Sequence, residues 1–125
     1  AALQLQPYRY DVHYKVGMFY QSLQAFDEAV QAYESAIALK SDHKTSLHNI
    51  AVIEVFRKNY NSAINYFTQA ITADDSYVEA YFGRAYCYEL IGDLVKSESD
   101  YRTSLMLDVK YMPSRQGIDR IKELQ

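Results

Sequence analysis

The residues of this chain that could do chemistry are few: three histidines, one cysteine and a scatter of acidic pairs. A helical metal site needs two imidazoles on one face, usually at i and i+4. His13, His43 and His48 never stand at that spacing. Cys87 is alone, so it can form neither an internal disulfide nor a thiolate zinc site. With tyrosines around it on a helix, it reads as a buried, inert thiol rather than a nucleophile. Asp74-Asp75 and Asp93 read as helix termini, and Glu98 and Asp100 as part of a solvated face. No serine sits in a nucleophile-elbow pattern and no glycine-rich loop could cradle a phosphate. The expectation is a protein that is not an enzyme and holds neither metal nor cofactor.

Bulk properties narrow the class further. The 125 residues suit one modest core, with 49% hydrophobic and 23% charged side chains. Net charge is -3 and the sequence pI is near 5.5, the wrong sign for a general nucleic-acid binder. Residues 1–62 carry six acidic and six basic side chains, and residues 63–125 ten and seven, so the acidity lies in the second half. No run of 18 apolar residues could insert into a membrane. A single cysteine fits a reducing, cytoplasmic compartment, although a secreted helical protein need not carry disulfides either. The chain opens on Ala1 rather than methionine and is expected to be trimmed or excised from something longer, with any targeting signal lost.

The elements behind these residues are written three times. FDEAVQAYESAIAL, YNSAINYFTQAITA and LVKSESDYRTSLML begin at Phe26, Tyr60 and Leu94, each 34 residues after the last. Apolar residues recur at three and four, and strand alternation is absent. Small residues share columns: Ala29, Ala63 and Ser97, then Ala36, Ala70 and Ser104. A small side chain lets a second helix approach closely, and Tyr33, Phe67 and Tyr101 fill the gap beside it. Another helical stretch precedes each copy, roughly 11–23, 44–57 and 78–90. Asn59 and Gly92-Asp93 break the chain between the helices of a pair, while Gln24-Ala25 is a poor turn accepted only because the period demands it. Ser76 or Asp75 is expected to cap the helix that follows.

Both ends fit the same register. Ala2-Leu3 lies 34 residues before Ala36-Ile37, so residues 1–9 read as the remnant of a preceding repeat, or as an N-terminal cap made by Leu3, Leu5 and Tyr8. After Asp108, PSRQGIDRIKELQ makes one more helix, with Pro113 in its first turn and Ile118, Ile121 and Leu124 on one face. It is expected to cap the last repeat's exposed core.

A 34-residue helix-turn-helix period with these residues resembles the tetratricopeptide repeat family. Unit 1 (10–43) matches at Gly17, Tyr20, Ala29, Tyr33 and Ala36. Unit 2 (44–77) matches at Ala51, Ala63, Phe67 and Ala70. Unit 3 (78–111) matches at Tyr81, Ala85, Tyr88, Gly92, Tyr101 and Leu107, and residues 112–125 form the capping helix. The chain departs from the family pattern at the usual closing proline, replaced by Ser41, Asp75 and Val109. Glu54 stands for an aromatic, and Ser97 and Ser104 stand for alanines. The resemblance implies an all-α fold, an alpha-alpha superhelix of antiparallel pairs.

It also implies a concave groove lined by the first helix of each unit, holding a protein or peptide partner. Matched by family position, the lining is Tyr14, Lys15 and Met18, then His48, Asn49, Val52, Val55 and Phe56, then Phe82, Gly83, Tyr86 and Leu90. Phe56 and Phe82 are expected in either core or groove, and Tyr14 and Tyr86 in the groove. Some relatives clamp a chaperone's C-terminal carboxylate with basic and amide side chains. Here only Asn49 matches, beside Tyr14, Met18, Glu79 and Gly83, and Glu79 would repel the ligand. The expected function is therefore a protein-interaction scaffold with an apolar, aromatic groove. The alternative is a self-assembling array, with copies meeting through the N-terminal end.

Overall fold

The computed structural model describes residues 9–124. Of the expected remnant or cap at residues 1–9, residues 1–8, with Leu3, Leu5 and Tyr8, lie outside them. Among the described residues there are seven helices and no strand: α1 (Tyr10–Ser22), α2 (Phe26–Leu39), α3 (Lys44–Phe56), α4 (Tyr60–Ala73), α5 (Val78–Ile91), α6 (Leu94–Leu107) and α7 (Met112–Leu124). Each packs on its chain neighbour, and α3 also touches α5, as α5 touches α7. The result is a helical solenoid, with odd-numbered helices along one side and even-numbered helices along the other.

Few of these helices are held by side-chain caps. Among the described residues, only Asp93 accepts from a first-turn backbone N–H, that of Lys96 (3.2 Å). Tyr77, not Ser76 or Asp75, occupies the N-cap of α5. Asp74 instead accepts from the Ser76 backbone N–H and hydroxyl, closing the turn before it. The turns inside the pairs share a conformation. Gln24 (φ 59°), Lys58 (φ 64°) and Gly92 (φ 91°) are 34 residues apart and all left-handed. Only the third has the residue that adopts this shape without steric cost. Burial of the paired helices, not local preference, must hold Gln24 and Lys58 there.

The core follows the small and aromatic columns. Ala29, Ala36, Ala63, Ala70, Ser97 and Ser104 are buried, with Tyr33, Phe67 and Tyr101 wedged between the layers. The two serines gain partners that alanine would not: Ser97 donates to the Ala85 carbonyl (2.7 Å), and Ser104 bonds the Tyr101 carbonyl and the Ser114 hydroxyl. Glu54, nearly buried in place of an aromatic, accepts from Arg57 (3.3 Å) and Asn59 (3.2 Å).

Asp100 does not belong to a solvated face. It is 6% exposed and forms a two-pronged pair with Arg84, Nε to Oδ2 at 2.7 Å and Nη2 to Oδ1 at 2.9 Å. Arg84 also donates to Thr68 (3.2 Å), so one guanidinium joins α4, α5 and α6. Sequence periodicity marks Asp100 as polar but cannot show that a basic residue 16 positions earlier faces it.

The capping helix is fastened by a second such contact. Arg120 on α7 bonds both oxygens of Glu89 on α5 (2.9 and 3.0 Å), and Glu89 also accepts from the Tyr101 hydroxyl (2.7 Å). Burial pushes the Glu89 carboxyl up, but the bonds from Arg120 and Tyr101 outweigh it and hold the group below its ordinary value. Ser114, Gly117, Ile118 and Ile121 are buried under this latch. Gln116, Asp119, Lys122 and Glu123 on the far side of α7 are exposed.

Candidate functional site

The aromatic columns decide which groove-side residues are free. Tyr33, Phe67 and Tyr101 each stand between two first helices. On the side of their own unit, Gln21 accepts from the Tyr33 hydroxyl and Glu89 from the Tyr101 hydroxyl. Val55 holds that column beside Phe67, which has no hydroxyl to satisfy. On the side of the next unit, Asn49 donates to the Tyr33 oxygen (3.2 Å), while Gly83 and Gly117 let the rings of Phe67 and Tyr101 lie flush against the helix backbone. Asn49 and Gly83, both expected to line the groove, therefore meet an aromatic ring of the preceding unit.

A second set of rings runs along the concave side. Tyr14, His48 and Phe82 share a column, and each meets a ring just before the next first helix. Tyr14 lies edge-on to His43 (5.0 Å), His48 tilts on Tyr77 (5.2 Å), and Phe82 lies edge-on to Tyr111 (5.7 Å). Sequence reasoning named Tyr14, His48 and Phe82 for the groove but missed the rings they meet, although His43, Tyr77 and Tyr111 are themselves 34 apart. Rings repeated at a turn position were the available signal.

Two depressions open between α3 and α5. The first, about 290 Å³, is walled by His48, Phe82, Tyr86 and Tyr111 and floored by Val52, Val55, Phe67 and Gly83, with one carboxylate, Glu79. The second, about 300 Å³, is bounded by Phe56, Tyr60, Lys58 and Leu90 and shares Val52, Val55 and Tyr86 with the first. Together they make one trough. It brings together His48, Val52, Val55, Phe56, Phe82, Gly83, Tyr86 and Leu90 of the expected groove residues. Phe56 is 71% exposed even though it stacks on Phe26 (5.8 Å), so it stands at the trough's rim and not in the core. Phe82 is half-buried against Tyr101 and Tyr86. Tyr14 packs on Tyr33 and His43 outside both depressions, and Met18 and Lys15 stand exposed there too.

The electrostatics of the trough are simple. Burial lowers the affinity of His48 for a proton, outweighing the Asn49 bond and the Glu79 charge, so the imidazole is a neutral ring at neutral pH. Burial pushes the Cys87 thiol up to about 12, which keeps it protonated. Among the described residues no cluster of three or more His, Cys, Asp or Glu side chains converges as a metal site would, and no helix is long and apolar enough to cross a membrane. The arrangement suits desolvation of apolar and aromatic groups, with one acidic and one basic side chain at its edges.

Comparison with known proteins places these features among relatives. The sequence pattern of the tetratricopeptide repeat family matches residues 8–76. Protein O-mannosyl-transferase Tmtc3 of Drosophila melanogaster is 31% identical over 99 residues, which cover 78% of this chain and 11% of that protein. The chain spans less than a fifth of the length of the curated relatives it matches. Among solved structures, the first TPR of Spaghetti (RPAP3) bound to HSP90 peptide SRMEEVD superposes with a TM-score of 0.88 at 20% identity, covering 92% of this chain and 91% of that one. MamA gives a TM-score of 0.90 at 17% identity, covering 98% of this chain and 71% of that one.

Proposed function

The chain belongs to the tetratricopeptide repeat family, and from that premise we propose that its trough holds a segment of a partner protein, helical or extended, chiefly by apolar contact. The observation that carries this reading is the continuity of the two depressions through Val52, Val55 and Tyr86. A concave apolar surface with a few polar groups at its edge is the usual form of a binding site. The scaffold reading gives no enzymatic role to these residues. The transferase name belongs to a relative of which this chain matches 11%.

The solved neighbour's peptide, SRMEEVD, is acidic and ends in a carboxylate. This chain is poorly equipped for such a ligand. Asn49 is engaged by Tyr33, Gly83 is covered by Phe67, and Glu79 presents like charge. SRMEEVD is expected to show no saturable binding in fluorescence anisotropy. Peptides selected by display against the protein should bind, and Phe82→Ala with Tyr86→Ala should weaken them at least about tenfold, as loss of central aromatic anchors does. Circular dichroism should show unchanged helicity. Added salt should weaken binding only modestly. Saturable SRMEEVD binding, or selected peptides indifferent to the double substitution, would refute the reading.

A second reading, association between copies through the α1 face, has its own support. Val16 and Phe19 on α1, and Leu23 just after its end, are exposed. At the positions matching Val16 and Phe19, Ile50 and Ile53 on α3 and Ile118 and Ile121 on α7 are buried under a preceding helix. Exposed apolar faces favour association. Light scattering across a concentration series is expected to show mass rising with concentration, and a strict monomer at millimolar protein removes this reading.

A further inference from the structure

The first depression is apolar in its lining but not in its electrostatics. Five rings bound it: His48, Phe67, Phe82, Tyr86 and Tyr111. The face of an aromatic ring carries partial negative charge, so rings gathered around one space attract a cation. Burial leaves His48 neutral, so it adds a ring and no opposing positive charge. Lys58 belongs to the second depression.

Glu79 completes the arrangement. Its carboxylate is exposed at the edge of the depression, and among the described residues it makes no ion pair. Its field reaches the Tyr111 wall and the Tyr77 ring on which His48 packs. Burial first, and the Glu79 charge second, push the Tyr77 phenol up to about 12, and both act on Tyr111 in the same order. A purely apolar occupant would cover this carboxylate and strip water from it without compensation. A cationic head on an apolar stem would meet the rings, the carboxylate and the Val52–Val55 floor together.

We propose that the first depression is a cation cage, which takes the alkylammonium head of a lysine or methylated lysine side chain from the partner segment. The head faces Glu79 and the aromatic walls, and the stem lies along Val52 and Val55. The second depression receives a neighbouring apolar side chain of the same segment. This inference rests on the trough being the partner site and adds the partner's chemistry to it. It separates the chain from neighbours holding acidic peptides, because the charge demanded of the ligand is reversed.

The test uses small probes followed by NMR of the protein's amide signals. Choline presents a trimethylammonium head, and dimethylbutanol is its neutral isostere with carbon in place of nitrogen. Choline is expected to shift Gly83, Tyr86 and Tyr111 saturably and to bind about fivefold tighter than dimethylbutanol, a gap of the size cation–π contacts give. Glu79→Gln should narrow that gap, and Tyr86→Ala should abolish it. Butylammonium stands for unmodified lysine. Either order between the two cations supports the cage and tells a methylated from an unmodified source. If dimethylbutanol binds as tightly as choline, or neither probe moves these signals, the cage is wrong. The selected peptides and the Phe82→Ala, Tyr86→Ala protein judge the trough separately, so one reading can fail while the other stands.

Discussion

Gly83→Val is expected to destabilise the protein by about 3 kcal/mol, with Gly83→Ala costing about 1–2 kcal/mol. Glycine inside a helix is ordinarily a weakness, and alanine there gains roughly 1 kcal/mol of helix propensity. The sign reverses here because a methyl group on Gly83 would collide with Cζ and Cε1 of the Phe67 ring. That ring is buried beside Ala63 and Ala70 and borders open space only at the floor of the first depression, so moving it aside gives up its packing. Valine adds a second branch to the same collision. Urea unfolding midpoints measure the loss. Phe67→Leu should relieve the crowding, so Gly83→Ala combined with Phe67→Leu should cost less than the sum of the two by about 1 kcal/mol. A Gly83→Ala protein at least as stable as the parent would show that the ring can give way, and would remove the packing account of this glycine.

The second large effect is expected from the pair that joins α4, α5 and α6. Asp100→Ala should cost about 2–3 kcal/mol, somewhat less than a fully buried pair because Arg84 keeps partial contact with water. The loss comes from the charge left behind. Without Asp100, the guanidinium retains only its bond to Thr68 and sits between packed helices. Replacing both partners, Arg84→Met with Asp100→Leu, should restore most of the lost stability, since neither side chain then carries a charge away from water. Thermal and urea unfolding of the single and double variants decide this. If Asp100→Ala is neutral, the pair is no more than a surface contact, and if the double variant is no better than the single, the stranded charge is not the cause.

The period was legible because it is written in residue size. Small residues recur where helices touch and rings recur where a gap must be filled, so Phe26, Tyr60 and Leu94 could be assigned as helix starts without a structure. What the sequence concealed depends on partners distant along the chain. Gln24 reads as a poor turn because its left-handed backbone is imposed by the packing of α1 on α2, not by its own preference. Asp100 reads as a surface acid because Arg84 lies on another helix. The trough shows the same division. Matching to family positions pointed to the face that carries His48, Val52, Phe82 and Tyr86. It could not show that Asn49, on the same helix, is drawn away by the hydroxyl of Tyr33, nor that Tyr111 would close the far wall.

The correspondence between rings and acceptors sets a rule for building chimeras from this chain. Tyrosine at 33 and 101 faces Gln21 and Glu89, and phenylalanine at 67 faces Val55. A graft that moves α2 alone into the place of α4 would put a phenol against valine and leave its hydroxyl unanswered. The reverse graft would leave Gln21 with no proton to receive. Cuts placed between Leu39 and Lys44, or between Ala73 and Val78, transfer ring and acceptor together. Recombination should therefore favour breakpoints between units over those within them, provided the unit placed after Phe67 brings the glycine of position 83 against its ring. In the hands of a protein engineer, the smallest interchangeable part of this molecule is the pair of helices and not the helix.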